Sequence, residues 1–485
     1  MFRTILEWLS GVIQKMLATN QITTAIQQQV GSMYNISAEM QSALQTWCAM
    51  YLNQADWVTN DVKSMNLPAA IAGEIARTAT IEMTVSVSGS PRADFLQTQM
   101  DIVTDKIRQQ IEYGNAKGGL MFKPYVDGDK ICIDYVHADM FYPLAFDANQ
   151  NITACVFADR RKKGPYWYTR FESHQMLEGD LYRIRNIAYR SDSQVYLGSQ
   201  VDLSVIPEWA DIQPDTTLQN ITQPLFGYFR FPQANNIDST SPLGVSCYAR
   251  SVKLIEEVDK QWTRLLWEFE SGERRLFVDK SALEKDADGK PILPQKKLYK
   301  VLNIAGMSIN APGFFEDWTP TLREVNILNG LDAILRRVEF NCGMSYGVLS
   351  NPNTQAMTAT EIKNSQQRYY TTITDVQKEI ENALESLLYG MDIWTTLYSL
   401  APVGVYEAVY EFDDSIVSDH DTQFTQDKEV VGMGAMSKVE FRMRNYGETE
   451  DIAKQKIAMV DSETTNQFGA RINALRTQPA INENI

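Results

Sequence analysis

The stretch TATEIKNSQQRYYTTITDVQKEIENALESLLYGMDIWTTLYSL, residues 358–400, decides the fold. Thr358-Ala359-Thr360-Glu361 is a capping box: the Thr358 hydroxyl accepts the backbone N–H three residues on, while Glu361 reaches back to the cap. Beyond it Tyr369, Ile373, Val376, Ile380, Leu384, Leu387, Met391, Trp394 and Tyr398 recur at threes and fours. Asp375, Lys378, Glu379, Glu381 and Glu385 fall between them. The spacing predicts one helix with an apolar stripe on a charged rod, about 60 Å long at roughly 1.5 Å per residue. A rod of that length crosses a domain, and its stripe belongs in a core.

Immediately before this rod, residues 343–357 contain no charged side chain. Gly343, Gly347 and Pro352 forbid regular helix there, while Asn351, Asn353, Thr354 and Gln355 can hydrogen-bond without net charge. Two further helices precede this loop. Ser241-Pro242 reads as an N-cap with proline at the first helical position. Tyr248, Val252, Ile255, Val258, Trp262, Leu265 and Phe269 then keep a stripe to Ser271-Gly272. Thr319-Pro320 repeats the device, and Leu322, Val325, Leu328, Leu331, Leu335 and Val338 carry a matching helix to Gly343. The two read as struts bracketing residues 272–318, a small module with strand patterns at 276–278 and 298–302 and a turn at Asp288-Gly289. Between Gly272 and Lys300 it holds eight Lys or Arg against five acids, inverting the sign of the chain as a whole.

Toward the N-terminus, Phe2, Ile5, Leu9, Val12, Ile13 and Met16 share one helical face whose polar side is too weakly basic for a membrane surface, so docking on protein is expected. Helices are predicted at about 37–52, at 67–83 after Asn66-Leu67-Pro68, and at 94–113, with Gly114 as terminator. The period changes at Gly118-Gly119. Leu120, Phe122, Tyr125, Ile131, Ile133 and Tyr135 alternate around Asp127-Gly128, a hairpin pattern, and strands follow at 152–157, 166–171 and 182–189. The run Arg160-Arg161-Lys162-Lys163 reads as a solvated hairpin tip. Residues 199–240 read as loop with a strand fragment at 226–231. After Leu400 come a strand at 405–412, an acidic patch, a helical ending with Glu440, Arg442, Arg444 and Glu448 exposed, and a final twenty-five residues without periodicity. The fold class is therefore α+β, predominantly α-helical.

At 485 residues the chain exceeds what one core usually serves. Its five cysteines, Cys48, Cys132, Cys155, Cys247 and Cys342, are dispersed and lack CxxC pairing, which speaks for a reducing compartment. No run approaches the ~18 apolar residues of a membrane span. Arg3, Glu7 and Lys15 interrupt residues 1–16, so no signal-peptide export and no membrane partner are expected. A net charge of −16 excludes ordinary nucleic-acid binding, which rests on cations neutralising phosphates. It suits a wall past which DNA must move, because net acidity repels phosphate.

Motifs for chemistry are missing. There is no GxxxxGK[ST], GxSxG, HExxH or strand-linked GxGxxG, and His137, His174 and His420 lie in separate segments. Asp413, Asp414, Asp419, His420 and Asp421 form the best candidate for a Mg²⁺ site, giving a metal-dependent nuclease as the alternative function, with a non-enzymatic scaffolding or adaptor protein as another. No catalytic residue, metal or cofactor is assigned.

The order of parts resembles the portal proteins of tailed bacteriophages with long non-contractile tails, the Gram-positive-type siphovirus group. The likeness rests on Asn66-Leu67-Pro68 with residues 71–76, Gly118-Gly119 with Lys123-Pro124-Tyr125, residues 135–143, Ser241-Pro242-Leu243-Gly244 through Trp267-Glu268, residues 358–362, and residues 436–440. The resemblance implies a ring-forming portal fold, usually a dodecamer, at one capsid vertex, through which double-stranded DNA is packaged and ejected. It implies a wing at 1–240 carrying a β-rich insertion at about 118–200, stem helices at 241–271 and 319–343, and a clip at 272–318. A tunnel loop at 344–357, a spine helix and return strand at 358–419, a crown at 420–460 and a tail at 461–485 complete it. Tyr346, Val348, Asn351, Asn353 and Gln355 would face the channel. Arg274, Arg275, Lys296 and Lys297 of the clip would meet acidic partners. Those partners would be the large terminase ATPase and the head-completion or adaptor protein, with the major capsid protein and scaffold contacting other surfaces.

Overall fold

Helices open the described course of the chain in the computed structural model, which describes residues 36–193, 196–279, 287–288, 292, 299–302, 315–352, 359–412 and 420–460. The apolar face at residues 1–17 and the tail at 461–485 lie outside these. Helix α1 (Ala38–Tyr51) starts where Ser37 Oγ accepts the Met40 N–H at 3.2 Å. Helix α2 (Leu67–Thr80) starts where expected, although Asn66 turns the chain in the left-handed region at φ 57° and gives no side-chain cap. The predicted helix at 67–83 ends early because residues 83–88 become strand β1 (Met83–Ser88), which pairs antiparallel with a strand more than three hundred residues later. A partner that distant leaves no local signal.

The single helix expected at 94–113 is two, α3 (Pro91–Thr104) and α4 (Ile107–Lys117). The Lys106 N–H bonds Val103 O at 3.1 Å and closes α3, yet Val103 and Ile107 are both buried, so the apolar spacing runs on across the break. Gly114 does not stop α4. Gly118 does, at φ +86°, and a Cβ there would sit 2.6 Å from the Gly244 carbonyl oxygen.

The hairpin of β2 (Gly119–Asp127) and β3 (Lys130–His137) forms around Gly128 at φ 63° as the alternation predicts. A second sheet follows from β4 (Phe141–Phe146), β5 (Ile152–Lys163), β6 (Tyr166–Leu177), β7 (Leu181–Ser191), β8 (Ser199–Val201) and β9 (Asp215–Gln219). Its order is β4-β5-β6-β7-β8, with β9 also on β7. The basic run is thus mostly strand rather than tip: Arg160–Lys163 pair with Thr169–Tyr166 and only Gly164-Pro165 turn. Arg161 reaches Asp159, Lys162 lies over the Trp167 ring, and Lys163 Nζ donates to Val205 O at 2.9 Å. Strand β10 (Gly227–Arg230) then joins β2, giving the order β10-β2-β3.

The first strut, α5 (Val252–Ser271), begins about ten residues later than Ser241-Pro242 suggests, after a short 3₁₀ turn at Ala249–Ser251. Tertiary hydrogen bonds hold 242–247 extended: Arg230 to Pro242 O at 3.3 Å, Gly244 N–H to Tyr228 Oη at 3.2 Å, and Cys247 N–H to Asn115 O at 2.9 Å. The bracketed module carries β11 (Arg275–Asp279), β12 (Tyr299–Leu302) and β13 (Phe315–Trp318) in the order β12-β11-β13, with β11 and β12 parallel.

The second strut, α6 (Glu324–Asn341), also starts late. Thr319 Oγ1 bonds Asp317 instead of capping, and the Arg323 N–H at the helix start goes to Glu268 Oε1 of α5 at 2.9 Å. Its end is as expected, with Gly343 at φ +71° and the Gly343 and Met344 N–H groups bonding Phe340 O and Glu339 O.

The long helix α7 spans Ala359–Leu397, thirty-nine residues; Thr358 of the capping box lies outside the described residues. Its stripe is buried from Tyr369 to Met391, with Ile373, Val376, Ile380, Leu384, Leu387 and Met391 in the main core, packed against α2, β2 and β10; at its end Trp394 is half-buried, and Tyr398 lies past the helix and is exposed. Each such side chain contributes roughly 1.5–3 kcal/mol by leaving water. The return strand β14 (Glu407–Phe412) pairs with β1.

Residues 413–485 form a separate unit. It contains α8 (His420–Gly432), α9 (Lys438–Tyr446) and a helical run at 450–460. Ser437 and Glu440 make a reciprocal capping box on α9. Glu448 is not the exposed residue expected. It is largely covered, bonded by Arg442 at 2.8 Å and by Lys456, and these hydrogen bonds pull its carboxyl down to about 2.

Candidate functional site

The charge-free loop leaves the end of α6 and enters α7, and charges on α6 hold it. Asp332, Arg336 and Glu339 stand at i, i+4 and i+7, one face of the strut. Glu339 is fully buried. Its Oε1 accepts the N–H groups of Gly347 at 3.1 Å, Leu349 at 2.6 Å and Ser350 at 2.8 Å, and its Oε2 accepts the Ser350 hydroxyl at 2.8 Å. Asp332 Oδ1 accepts the Asn351 N–H at 2.6 Å, Arg336 donates to Asn351 O at 3.2 Å, and the two side chains pair at 3.0 Å. The α7 side contributes neutral groups. Ser365 Oγ accepts the Tyr346 N–H at 2.7 Å, and Thr372 Oγ1 donates to Gly343 O at 3.1 Å.

Of the residues expected to face a channel, Tyr346 is half-buried, with the Arg368 guanidinium over its ring at 5.5 Å and over Phe340 at 4.4 Å. Val348 and Asn351 are exposed at the loop surface. Asn353 and Gln355 lie outside the described residues. The exposed Arg337 guanidinium also lies over the Phe340 ring, 5.0 Å from its centroid, so the base of the loop carries cations although the loop has none.

On the bracketed module, Arg274 is engaged by Asp317 of β13 through Nε at 3.0 Å, and Arg275 lies in β11 opposite Trp318. Lys296 and Lys297 lie outside the described residues, as do Asp413, Asp414 and Asp419. Among the described residues no three His, Cys, Asp or Glu side chains converge as metal ligands, and no helix is long and apolar enough to cross a membrane.

The struts bury acids where a simple stripe would place them in solvent. Asp259 of α5 accepts the Trp57 indole N–H at 2.9 Å and the Met65 N–H at 2.8 Å, while Glu268 takes Arg323. Burial pushes Asp259 above its ordinary value, more than its hydrogen bonds lower it. Conversely, three apolar stripe residues are outside, Val325 at 60% exposure with Phe269 and Leu328, and Trp267, which is not of the stripe, is 59% exposed beside them. Between the struts an open groove of about 530 Å³ is lined by Arg264, Trp267, Arg323, Ile327, Gly330 and Ile334.

This sequence of a paired strut, a small three-stranded module and a loop tied to a domain-crossing helix is accompanied by a family match. Residues 65–466 match the family described as phage portal protein, SPP1 Gp6-like. The chain belongs to that family. It is therefore a structural component of a phage particle and not an enzyme, and the nuclease alternative falls. The sequence matches none of the curated proteins. Two solved structures are similar at low identity. The neck of a native GTA particle, computed with C12 symmetry, shares 11% identity over 84% of this chain and 93% of that one, with a TM-score of 0.41. The neck of an empty GTA particle, computed with C6 symmetry, shares 9% over 85% and 94%, also at 0.41.

What the sequence missed in this portal chain is the set of strut acids. One signal was present. Glu339 lies in the last turn of α6, where the helix dipole disfavours an anion, and it precedes a run of uncharged loop residues rich in backbone donors.

Proposed function

We propose that the chain assembles into a ring of about twelve copies at one capsid vertex and forms the conduit for double-stranded DNA packaging and ejection. Its α5 and α6 are the stem, residues 272–318 the clip, 344–357 the tunnel loop and 420–460 the crown. The clip docks the large terminase ATPase and then the head-completion or adaptor protein; the wing meets the major capsid protein and scaffold. Assembly takes place in the host cytoplasm, before the portal becomes part of the virion.

The observation that carries this reading is the loop: a charge-free segment whose residues 346–351 are hydrogen-bonded to the second stem helix and the spine, with Val348 and Asn351 exposed. Such a surface makes few counterion-releasing contacts and can brace a duplex without gripping it. The exposed Trp267, Phe269, Val325 and Leu328 support a ring, since apolar surface of this kind on a stem needs a neighbouring copy to cover it. Val348→Arg adds one phosphate-binding cation per subunit. Packaging then slows and becomes more salt-dependent; a rate unchanged across salt removes the loop from the channel.

A further inference from the structure

The tunnel-loop reading says what the loop faces but not what sets its position. Four hydrogen bonds from the loop end on one side chain, Glu339, at 2.6–3.1 Å, and that side chain is fully buried. Three of the donors are consecutive or near-consecutive backbone N–H groups, so the carboxylate fixes the path of the main chain and not merely one rotamer. Seven and three residues earlier on the same face, Asp332 and Arg336 bond the N–H and the carbonyl of Asn351 respectively. The Ser350 hydroxyl also accepts the Gly347 N–H at 3.2 Å, closing the turn on itself. The loop is thus bonded to α6 along two turns of helix. Its hydrogen bonds to α7 are fewer and go to neutral groups, beside the Arg368 guanidinium over the Tyr346 ring.

We infer that Glu339 is the positioning residue of the tunnel loop: its buried carboxylate makes residues 347–350 move as one body with the second stem helix. This rests on the channel reading above. A shift of α6, wherever in the stem it starts, is delivered to Val348 at the channel wall instead of being absorbed in a slack loop. The anionic acceptor matters because charge-assisted bonds to backbone N–H groups are roughly twice as strong as neutral ones.

Amide hydrogen exchange on assembled rings, together with packaging rates, tests this. In the native ring the amides of Gly347, Leu349 and Ser350 exchange slowly despite lying in a surface loop. In Glu339→Ala they exchange about tenfold to a hundredfold faster, and packaging slows at least severalfold while ring mass and unfolding midpoint hold. Glu339→Gln keeps one oxygen for the three N–H groups and lets the Ser350 hydroxyl turn to accept, but through weaker neutral bonds, so it restores part of the protection and part of the rate. If Glu339→Ala does not fold, Ser350→Ala, which removes only the hydroxyl's bonds to Glu339 and to the Gly347 N–H, gives the same pattern at reduced size, centred on Gly347. Fast exchange of these amides in the native ring overturns the inference, and so does a Glu339→Ala ring that packages at the native rate. A Val348→Arg ring with unchanged packaging, alongside native protection of the three amides, marks failure of the channel reading instead.

Discussion

At the residue scale, the informative side chains are charged groups taken out of water, because each must be answered by a specific partner. Another case lies between β2 and the β5–β7 sheet. Lys123 Nζ bonds Glu172 at 2.6 Å, Glu172 accepts from His174 Nε2 at 3.0 Å, and His174 Nδ1 meets Tyr182 Oη at 2.9 Å. With the Glu172 carboxylate taking the Nε2 proton, a neutral imidazole leaves Nδ1 bare, so the Tyr182 hydroxyl donates to it while accepting the Leu225 N–H at 3.2 Å. Burial pushes His174 below its ordinary 6.5, outweighing the Glu172 carboxylate that raises it. Burial also raises Glu172, but Lys123, His174 and Arg170 outweigh it and hold that carboxyl well below 4.5. Both shifts have the same sign for stability. The unfolded chain takes up a proton at His174 that the fold refuses, so stability falls as pH drops below about 6.5, and Glu172 adds to the loss below about 4.5. The unfolding midpoint therefore declines from pH 7 to 5, and His174→Gln flattens that decline. A midpoint level across this range in the native protein contradicts the assignment. Little of this was readable in sequence, where His174 and Glu172 are two polar residues in an alternating strand while Tyr182 and Lys123 lie 8 and 51 positions from His174.

At the scale of elements, periodicity located what is locally determined and misplaced what is not. The α7 stripe, the Asp127-Gly128 hairpin and the Gly343 stop were legible because neighbouring residues suffice to specify them. The starts of α5 and α6 were not, because Ser241-Pro242 and Thr319-Pro320 have the chemistry of caps but their groups are engaged elsewhere: Pro242 O by Arg230, the Thr319 hydroxyl by Asp317, and the Arg323 N–H by Glu268. Strand β1 was hidden for the same reason. The packing of α7 on β10 gives a sharp expectation. A Cβ on Gly227 would lie 2.0 Å from the Ala383 carbonyl oxygen of α7, so the strand and the helix touch backbone to backbone there. Gly227→Val forces them apart and costs about 3 kcal/mol or more. Leu384→Ala, one helical step along, costs about 2–5 kcal/mol through the cavity it leaves. Denaturant unfolding reads both; a Gly227→Val loss below the Leu384→Ala loss with no movement of α7 would contradict the close approach.

At the scale of the whole molecule, the acidic balance of −16 and the basic excess in residues 272–300 describe a body that repels DNA and a module that attracts acidic surfaces. Of that module's cations, Arg274 is engaged by Asp317, which leaves less free charge than the count suggests. In the proposed ring, a neighbouring copy covers the exposed apolar side chains of α5 and α6. Electron microscopy of the purified particle tests this most directly. The expected result is a closed ring of about twelve 55.1 kDa subunits, with α5 and α6 around the bore and Val348 at its constriction. A stable monomer, or a closed ring that turns Val348 outward, would contradict it.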